Sequence, residues 1–467
     1  MTYKQFIDSK LHLSGDFGFE PTWIHDSLFD FQRSLVEWSL RKGRGAIFAD
    51  CGLGKTPMQL VWAQNVAQHS GGRVLILTPL AVSHQTVSEG QKFGVECARC
   101  ADGNLTGLPQ IVVTNYERLH YFKSEDFTGC VCDESSILKN FDGATRAAVT
   151  EFMRPLPYRL LCTATAAPND YIELGTSSEA LGHLPYLDML KMFFKSSDNS
   201  YASGGSGGGT ARWFSKQPFG GKFRFRGHAE RDFWRWVCSW ARAVRKPSDI
   251  GFDDGRFMLP ELITRQHVVK ASTKPENFLF DMPAIGLAEQ RAERRRTLNE
   301  RCEKAAEIAC SHKSPVVCWC HLNPEGDMLE KLIPGAIQVS GDDSDDVKEE
   351  RFRAFESGQA RVIVTKPTIA GFGLNWQHCA HQTFFPSHSF EQWYQGVRRS
   401  WRFGQENPVT VDVITSEGEA SVLLNLQRKA KQAEQMFDRL VALMNNELTV
   451  KRTTIRKKGI KVPAWMR

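Results

Sequence analysis

The chain has 467 residues, 41% of them apolar and 24% charged, with a net charge of +6. That length exceeds one core and points to two or three domains, and the balance is ordinary for a soluble globular protein. No run of about 18 apolar residues occurs and the start lacks an apolar signal core, so no membrane span and a cytoplasmic location are expected.

Residues 1–28 form an N-terminal extension with scattered aromatics (Phe17, Phe19, Trp23), and Phe31-Gln32 opens a helix-patterned segment. Then Gly45-Ala46-Ile47-Phe48-Ala49 reads as a buried strand, followed by Asp50-Cys51-Gly52-Leu53-Gly54-Lys55-Thr56 and a helix that carries Pro57 in its first turn. Strand, glycine loop and helix in that order make a phosphate cradle. Gly52 and Gly54 let the backbone approach an anion, Lys55 neutralises β/γ charge, and the Thr56 hydroxyl suits Mg²⁺. Ala49 stands where the general pattern has its first glycine. The site is expected to hold ATP, with Gln32 placed to read adenine through its amide.

Four further apolar runs, at 74–79, 111–116, 129–134 and 158–165, alternate with helical segments and predict a parallel sheet covered on both faces. Such sheets bind ligands at the carboxyl ends of their strands, where Thr56, Asp133, Glu134 and Thr163 fall together. Asp133 is suited to holding Mg²⁺ through water and Glu134 to orienting and deprotonating an attacking water.

The composition then changes. Residues 203–209 are a Gly/Ser tract that cannot pack, and Lys222-Phe223-Arg224-Phe225-Arg226 reads either as a basic strand facing a phosphate backbone or as an amphipathic surface hairpin. Phe233, Trp236, Val237, Trp240 and Val244 fall at helical spacing and read as core. A second α/β series begins near Leu262, with strands at 316–320, 337–340, 361–365, 382–385 and 409–414 and no phosphate loop. Its charged feature runs from Gln395 to Gln405, where Arg399 and Arg402 at i and i+3 are expected on one helix face, reaching a nucleotide held by the first domain.

An apolar segment around Val422, Leu426, Phe437 and Leu440 reads as a closing helix packed on the second lobe. From residue 449 onward seven basic residues and no acid occur, so the body is near neutral and the tail suits a polyanion, nucleic acid first. Of the twelve cysteines most sit in strand-like runs, and Cys97-x-x-Cys100 is the only CxxC, so buried thiols in a reducing compartment are expected rather than zinc.

In order, Phe31-Gln32, Asp50 to Thr56, Leu77-Thr78-Pro79, Thr114-Asn115-Tyr116-Glu117, Asp133-Glu134-Ser135-Ser136, Thr163-Ala164-Thr165, Ser340-Gly341, 371–375 and Gln395 to Gln405 resemble the motifs of a superfamily 2 helicase/translocase. The resemblance is to Swi/Snf-type translocases, in particular their compact phage-encoded members. Arg245-Lys246 and Leu259-Pro260 look like that family's lobe junction.

The resemblance implies an α/β fold of two tandem RecA-like parallel-sheet lobes with ATP at their interface and a helical, flexible insertion between them. The expected bounds are lobe 1 at 29–180, insertion at 181–262, lobe 2 at 263–417, closing helix at 418–448 and basic tail at 449–467. Lys55, Thr56, Asp133 and Gly373 would contact nucleotide or Mg²⁺. Glu134 would be the base and Arg399 and Arg402 the fingers. Thr163 and Thr165 would couple hydrolysis to a groove lined by Thr78, Pro79, Thr114, Asn115 and Asn375.

Ser136, Ala166 and Arg398 depart from the family pattern; Arg398 stands where remodellers carry an acid, which disfavours nucleosome remodelling. The expected function is a DNA-stimulated ATPase translocating on DNA, duplex favoured, in phage or bacterial replication or recombination. A strand-separating DNA or RNA helicase and a non-catalytic ATP-dependent clamp recruiting a nuclease or replication partner are the alternatives.

Overall fold

The computed structural model describes residues 15–139, 142–167, 171–196, 223–227, 229–271, 287–370, 374–387 and 389–456. The first lobe is built on seven strands: β1 (Arg44–Ala49), β2 (Arg73–Thr78), β3 (Cys97–Arg99), β4 (Ile111–Asn115), β5 (Phe127–Asp133), β6 (Tyr158–Thr163) and, beyond a short pair, β9 (Ala241–Val244). They lie in the order β3-β4-β2-β5-β6-β1-β9 and every pairing is parallel.

Period-two alternation divides their side chains between two cores. Leu75 and Leu77 face one, Val74 and Ile76 the other, and Cys130 and Cys132 are split from Val131 in the same way. Both faces are dry, which is why these strands read as unbroken apolar runs.

The second lobe repeats the plan. β10 (Leu262–Val269), β11 (Val316–Trp319), β12 (Ala336–Val339), β13 (Val362–Thr365), β14 (His381–Phe384) and β15 (Val409–Ser416) form an all-parallel sheet in the order β10-β15-β14-β11-β13-β12. Val317 and Trp319 enter one core, Val316 and Cys318 the other.

Between the lobes the structure differs from the expected boundaries. β9 pairs with β1 from Ala46↔Ala241 to Ala49↔Val244, and the helix Ala229–Trp240 buries Phe233, Trp236 and Trp240 in the first lobe's core. Residues 229–244 therefore complete the first lobe rather than linking it to the second. Sequence order hides this, because β9 reaches the sheet edge from within the stretch expected to be insertion.

The short pair β7 (Phe194–Ser196) and β8 (Phe223–Phe225) is an antiparallel hairpin. Phe225 stacks on Phe194 with centroids 4.7 Å apart, while Arg224 is exposed, the amphipathic alternative. The Gly-rich tract lies outside the described residues.

The helix Ala420–Arg456 corrects a second expectation. At about 1.5 Å per residue its 37 residues span roughly 55 Å, enough to leave one lobe and reach the other. Leu423 packs on the second lobe's core, but Phe437 and Leu440 are buried in the first lobe's. Asp438 pairs with Arg245 at 2.6 Å and Arg439 with Glu230. The helix is a strap across both lobes, not a cover for one.

Candidate nucleotide site between the lobes

The loop after β1 takes its shape from its glycines. Gly52 (φ 87°) and Gly54 (φ 75°) are left-handed, a region that L side chains rarely adopt. Each is also crowded: a Cβ on Gly54 would lie 2.3 Å from Gln32 Nε2, and one on Gly52 would lie 2.8 Å from the Phe403 backbone nitrogen. The helix Lys55–Ser70 begins directly after Gly54, so its unpaired N–H groups face the loop. Lys55 Nζ donates to the carbonyls of Ala49 (2.9 Å) and Asp50 (3.3 Å). Thr56 is half-buried in the first helical turn.

Gln32 is buried against this loop. Its Nε2 donates to the Leu53 carbonyl at 2.9 Å and its Oε1 accepts from Phe29 N–H at 3.0 Å. Both ends of its amide thus hold backbone.

β5 delivers the acidic pair. Asp133 is buried and accepts from Gln59 Nε2 at 2.7 Å, while its carbonyl accepts from the Tyr116 hydroxyl at 2.6 Å. Burial pushes the Asp133 carboxyl up to about 6; Gln59's hydrogen bond opposes this, Glu134's charge adds to it, and Lys55 opposes it. A divalent cation beside it would compensate that burial.

Glu134 has φ 53°, the one non-glycine with positive φ among the described residues. Strained backbone of this kind clusters at functional sites. The turn aims the carboxylate at Thr163 Oγ1 (2.5 Å), Ser136 Oγ (3.0 Å) and Thr165 Oγ1 (3.5 Å), so Glu134 and the loop after β6 form one unit.

The second lobe closes on this surface through the helix Phe390–Val397 and the turns after it. Arg399 and Arg402 do not share a helix face as expected: the helix ends at Val397 and the backbone tightens, with Arg399 N–H bonding Gly396 O at 3.1 Å and Arg402 N–H bonding Ser400 O at 3.1 Å. Arg399 Nη1 (2.9 Å) and Arg402 Nη1 (3.1 Å) instead converge on the Leu374 carbonyl.

Burial lowers both pKa values, Arg402 to about 10; for Arg399 the carboxylates of Glu134 and Asp133 oppose that fall. Arg398, for which no contact was expected, reaches the loop itself: its Nη2 lies 2.6 Å from Asp50 Oδ2 and donates to the Cys51 carbonyl at 2.9 Å. Tyr394 hydroxyl donates to Asp50 Oδ1, and Lys139 pairs with Glu391 across the same gap.

Several polar atoms here are buried without a partner: the donors Arg398 Nε, Arg402 Nε and Gln395 Nε2, and the acceptor Gln395 Oε1. Buried polar groups are nearly always satisfied, so unpaired guanidinium nitrogens on two arginines beside the glycine loop suit a polyanion. With Thr56 and Asp133 as oxygen donors, the residues present fit a triphosphate with Mg²⁺.

The residues expected to touch nucleic acid divide. Thr78, Thr114 and Asn115 are buried at strand ends, Thr78 donating to the Thr114 carbonyl (3.4 Å) and Asn115 Oδ1 capping the following turn through Arg118 N–H (3.1 Å). Pro79 and Asn375 line an open cleft of about 1200 Å³ that also reaches Tyr116, Glu134, Lys139 and Gln395. Gly373 lies outside the described residues.

Gln59 was missed, although a glutamine inside the apolar run Met58 to Ala63, one turn after Lys55, is a visible signal. Arg398 and Tyr394 carried no comparable one.

No family model and no curated protein matches the sequence. Among solved structures the chain is similar to that of S. cerevisiae Dbp5 bound to RNA and ADP BeF3, with a TM-score of 0.54 and 10% identity over 88% of this chain and 93% of that one. The likeness is one of fold. The two lobes are a tandem RecA-like pair, the fold of that structure.

Proposed function

We propose that the chain is a nucleic-acid-stimulated ATPase that translocates on DNA, duplex favoured. The observation that carries this reading is the convergence, where the two lobes meet, of a glycine phosphate loop, a strand-end Asp133-Glu134 pair and buried unpaired guanidinium donors from the facing lobe. Lys55 and the helix N-terminus bind phosphate, and Thr56 and Asp133 would hold Mg²⁺, which when bound neutralises phosphate charge. Glu134, oriented by Thr163 and Ser136, takes a proton from the attacking water. Arg399 and Arg402 complete the site from the second lobe.

The Thr163–Glu134–Thr165 contacts tie the base to the loop after β6, supporting a route from hydrolysis to the cleft lined by Pro79 and Asn375. The Swi/Snf-like lobe junction favours duplex DNA, and phage or bacterial replication or recombination is the proposed setting. ATPase assays provide the test: Lys55→Ala and Glu134→Gln are expected to lower turnover by at least about a hundredfold while DNA binding is kept. Wild-type turnover in Lys55→Ala removes the site assignment.

One observation favours a second reading. The structure to which the chain is similar was solved with RNA, which supports strand separation on RNA as the alternative. Stimulation of turnover by RNA alone would select it.

A further inference from the structure

We infer that Arg398, with Tyr394, is a positioning residue that clamps the phosphate loop to the second lobe before nucleotide arrives. The inference rests on the proposal that this loop binds ATP. Asp50 is its centre: Oδ1 accepts from Cys51 N–H at 2.6 Å and from the Tyr394 hydroxyl, and Oδ2 lies 2.6 Å from Arg398 Nη2. Arg398 also holds the Cys51 carbonyl, so both residues of the Asp50–Cys51 step are gripped from the second lobe.

The clamp differs from a surface ion pair. Side-chain exposure is 3% for Arg398 and 13% for Asp50, so salt and water screen it little. Arg398 further packs 4.9 Å over Trp401 and 5.7 Å over Tyr394, and Phe403 closes against Gly52.

The arrangement leaves the loop satisfied by protein. Cys51 N–H is turned onto Asp50, and Lys55 onto the Ala49 and Asp50 carbonyls, although both are donors a phosphate would take. Arg398 keeps its Nε unpaired, so the side chain has a donor in reserve for an incoming anion. Phosphate and Asp50 therefore compete for the same donors. The clamp makes the nucleotide-free chain pre-closed and makes nucleotide entry depend on releasing Asp50.

The test uses the full-length chain. Small-angle scattering without nucleotide is expected to give a larger radius of gyration for Arg398→Gln and Asp50→Asn than for wild type, with Arg398→Lys, which keeps the charge, returning toward wild type. Association of a fluorescent ADP analogue is expected to be about tenfold faster in Asp50→Asn, with Tyr394→Phe between it and wild type. Tyr394→Phe keeps the ring packing and serves if a charge substitution fails to fold. Equal radii for all variants, or wild-type association rates in both Asp50→Asn and Tyr394→Phe, overturn the clamp. Failure of the wild type to bind the analogue overturns the ATP reading instead, while the scattering comparison still decides the clamp.

Discussion

At the scale of single residues, the site is set by a few side chains whose surroundings are unusual. Glu134 sits in a left-handed turn because the strand ending at Asp133 must give way at once to the 3₁₀ turn Ser135–Lys139. His183 shows the same logic in a structural role. Burial holds its pKa down at about 3 against an ordinary 6.5, even though its ring bonds the Arg44 carbonyl at 3.1 Å.

The unfolded chain therefore binds the His183 proton more readily than the folded one. The associated stability is complete above about pH 6.5 and is lost as pH falls toward the folded value. Between pH 7 and pH 5 the loss from this one group is on the order of 1 to 2 kcal/mol. Urea titrations at the two pH values should show that difference shrinking in His183→Gln; an unchanged pH slope would assign it elsewhere.

At the scale of elements, the strap helix Ala420–Arg456 is the decisive one. It starts on the second lobe and buries Phe437 and Leu440 beside the helix Ala229–Trp240 of the first. Phe437→Ala is expected to cost about 3 to 4 kcal/mol through the cavity it leaves. Because the strap is a single helix docked at its far end, hydrogen exchange near residues 430–443 should rise before the sheets of either lobe respond. Protection unchanged there would mean the far end is held by something other than this apolar contact.

At the scale of the whole molecule, two sheets with little covalent connection meet across one interface, so under the proposed function activity would depend on how nucleic acid and nucleotide bias their approach. Measuring ATPase stimulation by duplex DNA, single-stranded DNA and RNA side by side separates the proposed functions. Strongest stimulation by duplex DNA is expected, and a response to RNA alone selects the alternative. Arg402→Ala should lower the stimulated rate by about tenfold or more, because its guanidinium is buried beside the site and desolvated donors act strongly there. An unchanged rate would remove Arg402 from the machinery.

Local chemistry is what the sequence determined by itself. Continuous apolar runs fix buried parallel strands, and Gly52, Gly54 and the Asp133-Glu134 pair mark where those strands end, because backbone sterics and strand burial act within a few residues. The tertiary structure decided what depends on distant partners. β9 joins the first sheet from within the expected insertion, and the long helix crosses to the first lobe. Arg398, rather than its neighbours, meets Asp50. Those outcomes follow from which surfaces meet across the cleft, and residues hundreds of positions apart leave no periodicity by which the chain could announce their meeting.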